Sequence, residues 1–112
     1  MDGEANDAGR VEPLEQVAAG LRVAGVALRL QILRAVGADG PLSPSQFAAA
    51  AGRSLRESAY HFRYLREADL VALEHIEASA GTAQHFYELS PLGKALVQAL
   101  PRFEQAARRP RG

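Results

Sequence analysis

Residues 41–70, PLSPSQFAAAAGRSLRESAYHFRYLREADL, contain the pattern that decides the fold. Ser43 followed by Pro44 is typical of a helix start, because Ser caps free backbone amides and Pro needs no amide partner in the first turn. Phe47 and its neighbours then form an apolar face, and Gly52 is suited to end the helix in a left-handed conformation. This half of the segment is therefore predicted to be one short helix.

The other half predicts a second helix over about residues 55–68, after a tight turn at Arg53. Ser54 is suited to cap it, and Glu57 follows at the spacing of a capping box. At 100° per residue, one face is expected to be buried: Leu55, Ser58, Phe62 and Leu65. The opposite face is expected to carry Arg53, Arg56, Glu57, Tyr60 and Tyr64, with His61 and Arg63 on its flanks.

Two helices joined in this way form a helix-turn-helix, whose second helix can enter the major groove of DNA. Arg can bind guanine edges, and Tyr can bind phosphate or pack on a thymine methyl. The alternative is that Tyr60 and Tyr64 pack on a neighbouring helix or subunit. If the helix enters the groove, the candidate DNA contacts are Ser43, Ser45, Arg53, Ser54, Arg56, Glu57, Tyr60, His61, Arg63 and Tyr64.

The flanking sequence extends this motif in both directions. Residues 1–12 are predicted to be a disordered acidic tail, and residues 14–36 to form one helix or two, since Gly20 and Gly25 interrupt the apolar run. Apolar alternation over 70–77 and 84–89 predicts a β-hairpin, with Val71, Leu73 and His75 on one face and His85, Tyr87 and Leu89 on one face. A last helix is expected from Ser90-Pro91, with Pro101 kinking or ending it. The fold class is mainly α with a small β-hairpin, a winged helix-turn-helix over 13–108 with a basic tail at 109–112.

Charge is distributed in blocks although the net charge is zero. Residues 1–15 and 67–101 are each acidic, whereas residues 16–66 carry seven Arg against two acids and the last residues are basic again. DNA binding depends on a positive patch rather than on the total, so neutrality does not exclude it. Chance, or the composition of a GC-rich genome, is the competing explanation.

Composition and motifs exclude several other classes of function. There is no Cys, hence no disulfide, thiolate nucleophile or thiolate metal site. No apolar run approaches the roughly 18 residues of a membrane span, and the acidic start is unlike a signal peptide, so a cytoplasmic location is expected. Because phosphate-loop and hydrolase motifs are missing, no enzyme activity is expected. We expect no cofactor or metal, although His75 and His85 with nearby Glu could form a hairpin zinc site, and no motif identifies an effector.

Four segments in this order resemble the ArsR-like winged helix-turn-helix regulators of bacteria. They are ALRLQIL at 27–33, LSPSQFA at 42–48, YHFRYLR at 60–66 followed by Leu70-Val71, and FYELSPLG at 86–93. The resemblance covers about residues 14–100 and depends on order and spacing together. Asp69 stands where such proteins often have Gly, and Asp tolerates the left-handed conformation better than most residues.

The resemblance implies a homodimeric repressor joined through its first and last helices. The interface residues would be Leu14, Val17, Leu21, Leu92, Leu96, Leu100 and Phe103, whose apolar stripes need a partner surface in any case. Two-fold symmetry implies a palindromic operator on double-stranded DNA with half-sites about 34 Å apart. The alternative function is a protein–protein interaction module that has lost DNA binding, because the wing tip carries no Lys or Arg while Glu74 and Glu77 lie on its first strand.

Overall fold

The computed structural model describes residues 2–109, with side chains described for residues 12–109. It confirms a mainly helical fold with one antiparallel hairpin. The elements in chain order are α1 (Asp2–Ala24), α2 (Ala27–Asp39), α3 (Pro44–Ala51), α4 (Leu55–Glu67), β1 (Val71–Ser79), β2 (Thr82–Leu89) and α5 (Pro91–Arg108).

Local capping sets the ends of α3 and α4, as the sequence predicts. The Ser43 hydroxyl accepts from the Gln46 amide, and the Gln46 side chain accepts from the Ser43 amide, which completes a capping box. Gly52 follows with φ of 67°, in the left-handed region that costs Gly least. Ser54 then caps α4 by accepting from the Glu57 amide at 3.0 Å. The helix-turn-helix is therefore determined by contacts between residues close in sequence.

The break at Gly25-Val26 separates α1 from α2, so residues 14–36 form two helices. Glu12–Ala24 and α2 meet at 107°, and only this bent pair reaches the length and apolar composition of a membrane span. Among the described residues, no single helix does so.

Helix α1 begins earlier than the helix start expected near Pro13, and the disordered acidic tail over residues 1–12 stays a prediction. It starts at Asp2 and continues through Pro13. A helix already formed adds residues without a new nucleation cost, which offsets the bond lost at Pro13. The domain limits at 13 and 108 remain predictions. Met1, and residues 110–112 of the expected basic tail, lie outside the described residues.

The hairpin is longer than expected and contains a bulge. Ser79 pairs with Thr82 across Ala80-Gly81, whose φ values of 51° and 79° are those of a tight two-residue turn. The strands therefore extend into the segment expected to be a loop. A bulge between Leu73 and His75 places His75 opposite Phe86. The expectation that Val71, Leu73 and His75 share one face is therefore wrong, because one extra residue on a strand changes its register.

One core joins the helices to the base of the hairpin. Its fully buried members come from α2, α4 and the start of the hairpin: Ile32, Leu33, Phe62, Leu65, Leu70 and Val71. Leu55 is not among them, since it is 55% exposed at the first turn of α4, contrary to expectation. Helix α3 packs on α4 through Phe47 and Phe62, whose ring centroids are 6.2 Å apart.

Helix α5 packs tightly on the turn after α4. Asp69 adopts the left-handed conformation with φ of 59°, as expected for an Asp at this position. Its carbonyl accepts from the Ser90 hydroxyl at 2.6 Å, and Ser90 also caps α5. Gly93 lies so close that a Cβ there would be 2.1 Å from the Leu70 carbonyl oxygen. Pro101 does not end α5, which continues to Arg108.

Candidate nucleic-acid interface

The exposed face of α4 is rotated from the expected one. Ser58, Phe62 and Leu65 are buried, and the exposed side of the helix carries Arg56, Ala59, Tyr60, Arg63, Arg66 and Glu67. Arg63 was expected on a flank but lies in the middle of this surface. Among the described residues, neither Arg56, Arg63 nor Arg66 forms an ion pair. Within residues 12–109, this side of α4 therefore presents three guanidinium groups that form no ion pair, with Glu67 as the one acid among them.

The two tyrosines have different environments. Tyr60 is 48% exposed and packs edge-on against Tyr64, with ring centroids 4.9 Å apart. Tyr64 is half-buried between two guanidinium groups, that of Arg29 at 4.8 Å and that of Arg63 at 5.3 Å from its ring centroid. Tyr64 thus packs on a neighbouring helix, which was the alternative for both tyrosines. Tyr60 instead keeps an exposed surface for a ligand.

Arg29 of α2, which contacts Tyr64, also bonds His61. The Arg29 Nε donates to His61 Nδ1 at 3.0 Å, and Arg29 also donates to the Val23 carbonyl at the end of α1. Burial, then the charge of Arg29, lowers the pKa of His61. Because Nδ1 accepts this bond, the imidazole is neutral, with its proton on Nε2. His61 and Tyr64 thus join α4 to α2.

Ser43 is a structural residue, which corrects the expectation that it contacts DNA. It is 1% exposed, and its hydroxyl both caps α3 and donates to Gln84 Oε1 of β2 at 3.1 Å. Ser45 is half-buried beside it. A buried hydroxyl with both roles occupied has no surface to offer a phosphate.

The remaining candidates lie at the exposed N-terminal end of α4. Ser54 is its cap, and Arg53 pairs with Glu57 at 3.6 Å. Glu57 contributes its backbone amide to the cap, while its side chain turns to Arg53 rather than completing a capping box. The Arg53 charge is thus partly compensated, in contrast to that of Arg56.

A cleft of about 360 Å³ lies between α4 and β2. Arg63 and Arg66 form part of one wall, and Thr82, Ala83 and Gln84 form part of the other. Arg66 was not among the candidates. Its position three residues after Arg63 would have placed the two on one side of the helix, but no pattern in the sequence places the hairpin opposite them.

An apolar groove of about 470 Å³ runs between α1 and α5 on another side of the molecule. Leu92, Leu96 and Leu100 line it from α5, and Val17 and Leu21 from α1. Four of the expected interface residues are exposed large hydrophobics: Leu14 at 71%, Val17 at 38%, Leu21 at 57% and Phe103 at 69%. Six of the seven expected residues therefore line one groove, and Leu14 lies one helical turn before Val17.

Glu74 and Glu77, the two acidic side chains on β1, both bond the ring of one histidine. His75 Nδ1 bonds Glu74, its Nε2 lies 3.0 Å from Glu77 Oε2, and its ring stacks on Phe86 at 4.5 Å. The bonds to Glu74 and then Glu77 raise the pKa of His75. His85 lies opposite Ile76, away from this cluster. Within residues 12–109, no three His, Asp or Glu side chains are grouped to hold a metal ion.

These features define a winged helix-turn-helix protein: a capped helix pair, an exposed second helix and a hairpin beside it. Residues 27–74, from α2 into β1, match the family model described as a helix-turn-helix domain. A comparison with curated proteins gave no match.

Solved structures with this fold are transcriptional regulators. HlyU from Vibrio cholerae is 26% identical with a TM-score of 0.65, over 81% of this chain and 94% of that one. The homodimeric DNA-binding domain of Mb0332 from Mycobacterium bovis, described as a possible ArsR-family regulator, is 22% identical with a TM-score of 0.68, over 90% and 88%. The repressor BigR from Xylella fastidiosa is 20% identical with a TM-score of 0.63, over 94% and 99%.

The chain is thus similar in fold to solved winged helix-turn-helix proteins, one of them described as a possible ArsR-family regulator, in agreement with the resemblance seen in the sequence. These proteins are regulators rather than enzymes, in agreement with the expectation for this chain.

Proposed function

We propose that the protein is a homodimeric, sequence-specific DNA-binding repressor whose helix α4 enters the major groove. The observation that carries this proposal is the exposed side of α4, where Arg56, Tyr60 and Arg63 lie together without an acidic partner among the described residues. Arg can bind guanine through two hydrogen bonds, and the major groove admits an α-helix. Arg56 and Tyr60 are assigned to base edges.

Residues at the N-terminal end of α4 fit a positioning role on the DNA backbone. Ser54 and Arg53 are exposed there, and the first turn of a helix has free amides that favour phosphate. Contacts of this kind fix the register of a protein on the duplex and carry no sequence information. Ser45 at the start of α3 is assigned the same role.

Self-association follows from the groove between α1 and α5. Apolar side chains from both helices line this groove, and several of them are exposed, which favours a partner that covers them. Two-fold association of this face would present two α4 helices to successive major grooves, which requires a palindromic operator with half-sites about 34 Å apart. Mb0332 is described as homodimeric and BigR as a repressor, which supports both parts of the proposal.

The proposal is tested by fluorescence anisotropy with the duplex that precedes the protein's own gene. A shuffled duplex is the sequence control, and each is titrated at two salt concentrations. We expect tighter binding to the native duplex, with an affinity that falls steeply with salt because phosphate contacts release counterions. In cells, deletion of the gene should raise transcription from this promoter if the protein is a repressor.

Substitutions on α4 test whether this helix makes the contacts with DNA. Arg56→Ala and Tyr60→Ala should each reduce discrimination between the two duplexes about tenfold or more, since one good base contact contributes roughly 1–3 kcal/mol. Lys94→Gln is the matched control, because Lys94 is an exposed cation on α5 beside Glu88, away from α4. Affinity unaffected by both α4 variants would contradict the proposal. Absence of binding to every duplex would instead favour the interaction module.

A further inference from the structure

One side chain of α2, Arg29, contacts two other helices at once. Its Nε donates to His61 Nδ1 of α4 at 3.0 Å, and its Nη1 donates to the Val23 carbonyl at the end of α1 at 2.9 Å. Its guanidinium also lies 4.8 Å from the ring centroid of Tyr64 on α4. A single half-buried cation therefore joins α1, α2 and α4 through three separate contacts.

The partners of Arg29 on α4 in turn contact residues of the exposed side of that helix. The Tyr64 ring packs edge-on against Tyr60, and the Arg63 guanidinium lies 5.3 Å from the Tyr64 centroid. The His61 ring also packs edge-on against Tyr60, with centroids 5.2 Å apart. Tyr60 and Arg63 are thus each one contact away from a group that Arg29 holds in place.

Arg29 differs from the other arginine in the middle of α2. Arg34 is exposed and pairs with Glu104 of α5 at 2.7 Å, an ion pair of the kind that contributes little to stability. Within residues 12–109, Arg29 forms no ion pair, and its partners are a carbonyl oxygen, an imidazole nitrogen and an aromatic ring. A planar group that donates in two directions and also stacks on a ring meets all three, which Arg does and Lys does not.

The bond from Arg29 requires that His61 stay neutral at Nδ1. Among the described residues, the charged groups that act on His61 are Arg29 from α2, Glu57 one turn earlier on α4, and Arg53 in the turn before α4. Helices α1 and α3 and strand β1 also pack on α4 and add no charged group to this set. Burial and the charge of Arg29 lower the pKa of His61, which favours the neutral ring. A proton on Nδ1 would remove the acceptor and place two cations side by side.

We propose that Arg29 is a positioning residue for DNA recognition, which holds α4 through His61 and Tyr64 so that Tyr60 and Arg63 meet the base edges. This proposal rests on the proposed function. Arg29 itself makes no contact with DNA in this arrangement. Because it also bonds the end of α1, it fixes the orientation of the reading helix relative to the proposed dimer interface.

Arg29→Met and Arg34→Met form a matched pair, since each removes one guanidinium from α2. Arg29→Met should lower discrimination between the native and shuffled duplexes about tenfold, the effect of losing one good base contact. Arg34→Met should discriminate as the wild type does. Arg29→Lys keeps the charge and the aliphatic stem but not the planar fork, so it should also discriminate less than wild type. Wild-type discrimination in Arg29→Lys, or equal losses in the two Met variants, would overturn the proposal.

A pH profile separates positioning from a merely structural role. A proton on His61 attracts every duplex alike, so the ratio of the two affinities is the quantity to follow. In the wild type this ratio should fall between about pH 7.5 and about pH 5, as the proton displaces the bond from Arg29. His61→Gln supplies an acceptor that does not titrate, so its ratio should change much less. His75→Gln is the control and should keep the wild-type fall. The same pH dependence in His61→Gln and wild type would contradict the proposal.

Nuclear magnetic resonance of the free protein tests the contacts without DNA. Arg29→Met should shift the ring signals of Tyr60 and the Nε–H signal of Arg63, because both lie against rings that lose their support. Arg34→Met should leave them in place. Unshifted signals in Arg29→Met would overturn the proposal even where DNA binding holds. Shifted signals in a protein whose wild type does not discriminate would instead contradict the proposed function, and with it the role of Arg29 in recognition.

Discussion

At the scale of single residues, the structure assigns positions that look alike in the sequence to different tasks. Ser43 and Ser54 are both helix caps, yet only Ser54 is exposed, because Ser43 also bonds the wing. Tyr60 and Tyr64 are one turn apart, yet Tyr64 is enclosed by Arg29. Such differences arise from contacts with partners many residues away. These contacts decide which side chains remain available to a ligand.

Gly93 is required by the close approach of α5 to the turn after α4. We expect Gly93→Ala to destabilise the protein by about 1–3 kcal/mol, since its Cβ would overlap a backbone oxygen that cannot rotate away. Gly37→Ala is the control, because a Cβ there meets the flexible Leu89 side chain at 3.1 Å. Urea unfolding at one protein concentration compares them, and equal midpoints for Gly93→Ala and wild type would show that the contact relaxes freely.

His61 should make stability fall in mild acid. Its folded-state pKa lies below the ordinary 6.5, so the unfolded chain binds more protons and the free energy of unfolding decreases as pH falls from 6.5 through the folded pKa. Unfolding of wild type and His61→Gln at about pH 7.5 and about pH 5.5 should show a smaller acid loss in the variant.

His75 provides the comparison of opposite sign. Its pKa is raised, so its contribution is present below 6.5 and decreases as pH rises through the folded pKa. His75→Gln should therefore increase the acid loss of stability. The same pH dependence in both variants would contradict these assignments.

At the scale of elements, the short helix α3 depends on its cap more than on its length. A helix of eight residues is not stable alone. The Ser43 capping box supplies two hydrogen bonds at its start, one accepted by the Ser43 hydroxyl and one accepted by the Gln46 side chain. The same hydroxyl reaches β2, so the start of the helix-turn-helix and the wing share one side chain. The relative placement of α4 and the wing, and hence the cleft, depends on this connection.

Ser43→Ala should lower the free energy of unfolding by about 1–2 kcal/mol, because it removes a cap and leaves Gln84 Oε1 without its donor. For a domain of this size the thermal midpoint should fall by several degrees, roughly 4–8 °C per kcal/mol. Ser45→Ala is the matched control, since its hydroxyl has no capping role. A common midpoint for the two variants would argue against the shared role of Ser43.

At the scale of the whole molecule, one groove gathers exposed apolar side chains from both α1 and α5. Val17, Leu21 and Phe103 line it, while the proposed DNA-binding side of α4 faces elsewhere with its arginines. A two-fold dimer on a palindromic operator requires one surface for self-association and a separate surface for DNA.

Leu21→Glu and Phe103→Glu should convert the proposed dimer to monomer, since a carboxylate buried in an apolar interface has no partner there. Ile76→Glu is the control, because Ile76 is 51% exposed on the wing, outside the groove. Analytical ultracentrifugation measures the mass. A monomeric wild type, or a dimer that survives both groove variants, would overturn the proposed interface.

Amino-acid pattern was sufficient for the parts of the fold that arise within a few residues. The Ser43-Pro44 start, the Gly52 end and the Ser54 cap are bonds between residues at most four apart, so local chemistry decides them. The apolar spacing of α2, α4 and α5 likewise indicated most of the face that each helix buries. The exposed face of α4 was predicted only in outline, and Arg66 on that face was missed.

The features that the sequence did not determine depend on contacts between residues far apart in the chain. Arg29 reaches His61 across 32 positions and sets which flank of α4 is enclosed. The bulge before His75 reverses a face that strict alternation had predicted, and the bond of Ser43 to Gln84 across 41 positions helps to place the hairpin beside α4. Contacts of this kind depend on how complete elements pack against one another, and a periodic pattern within one element contains no information about its neighbour.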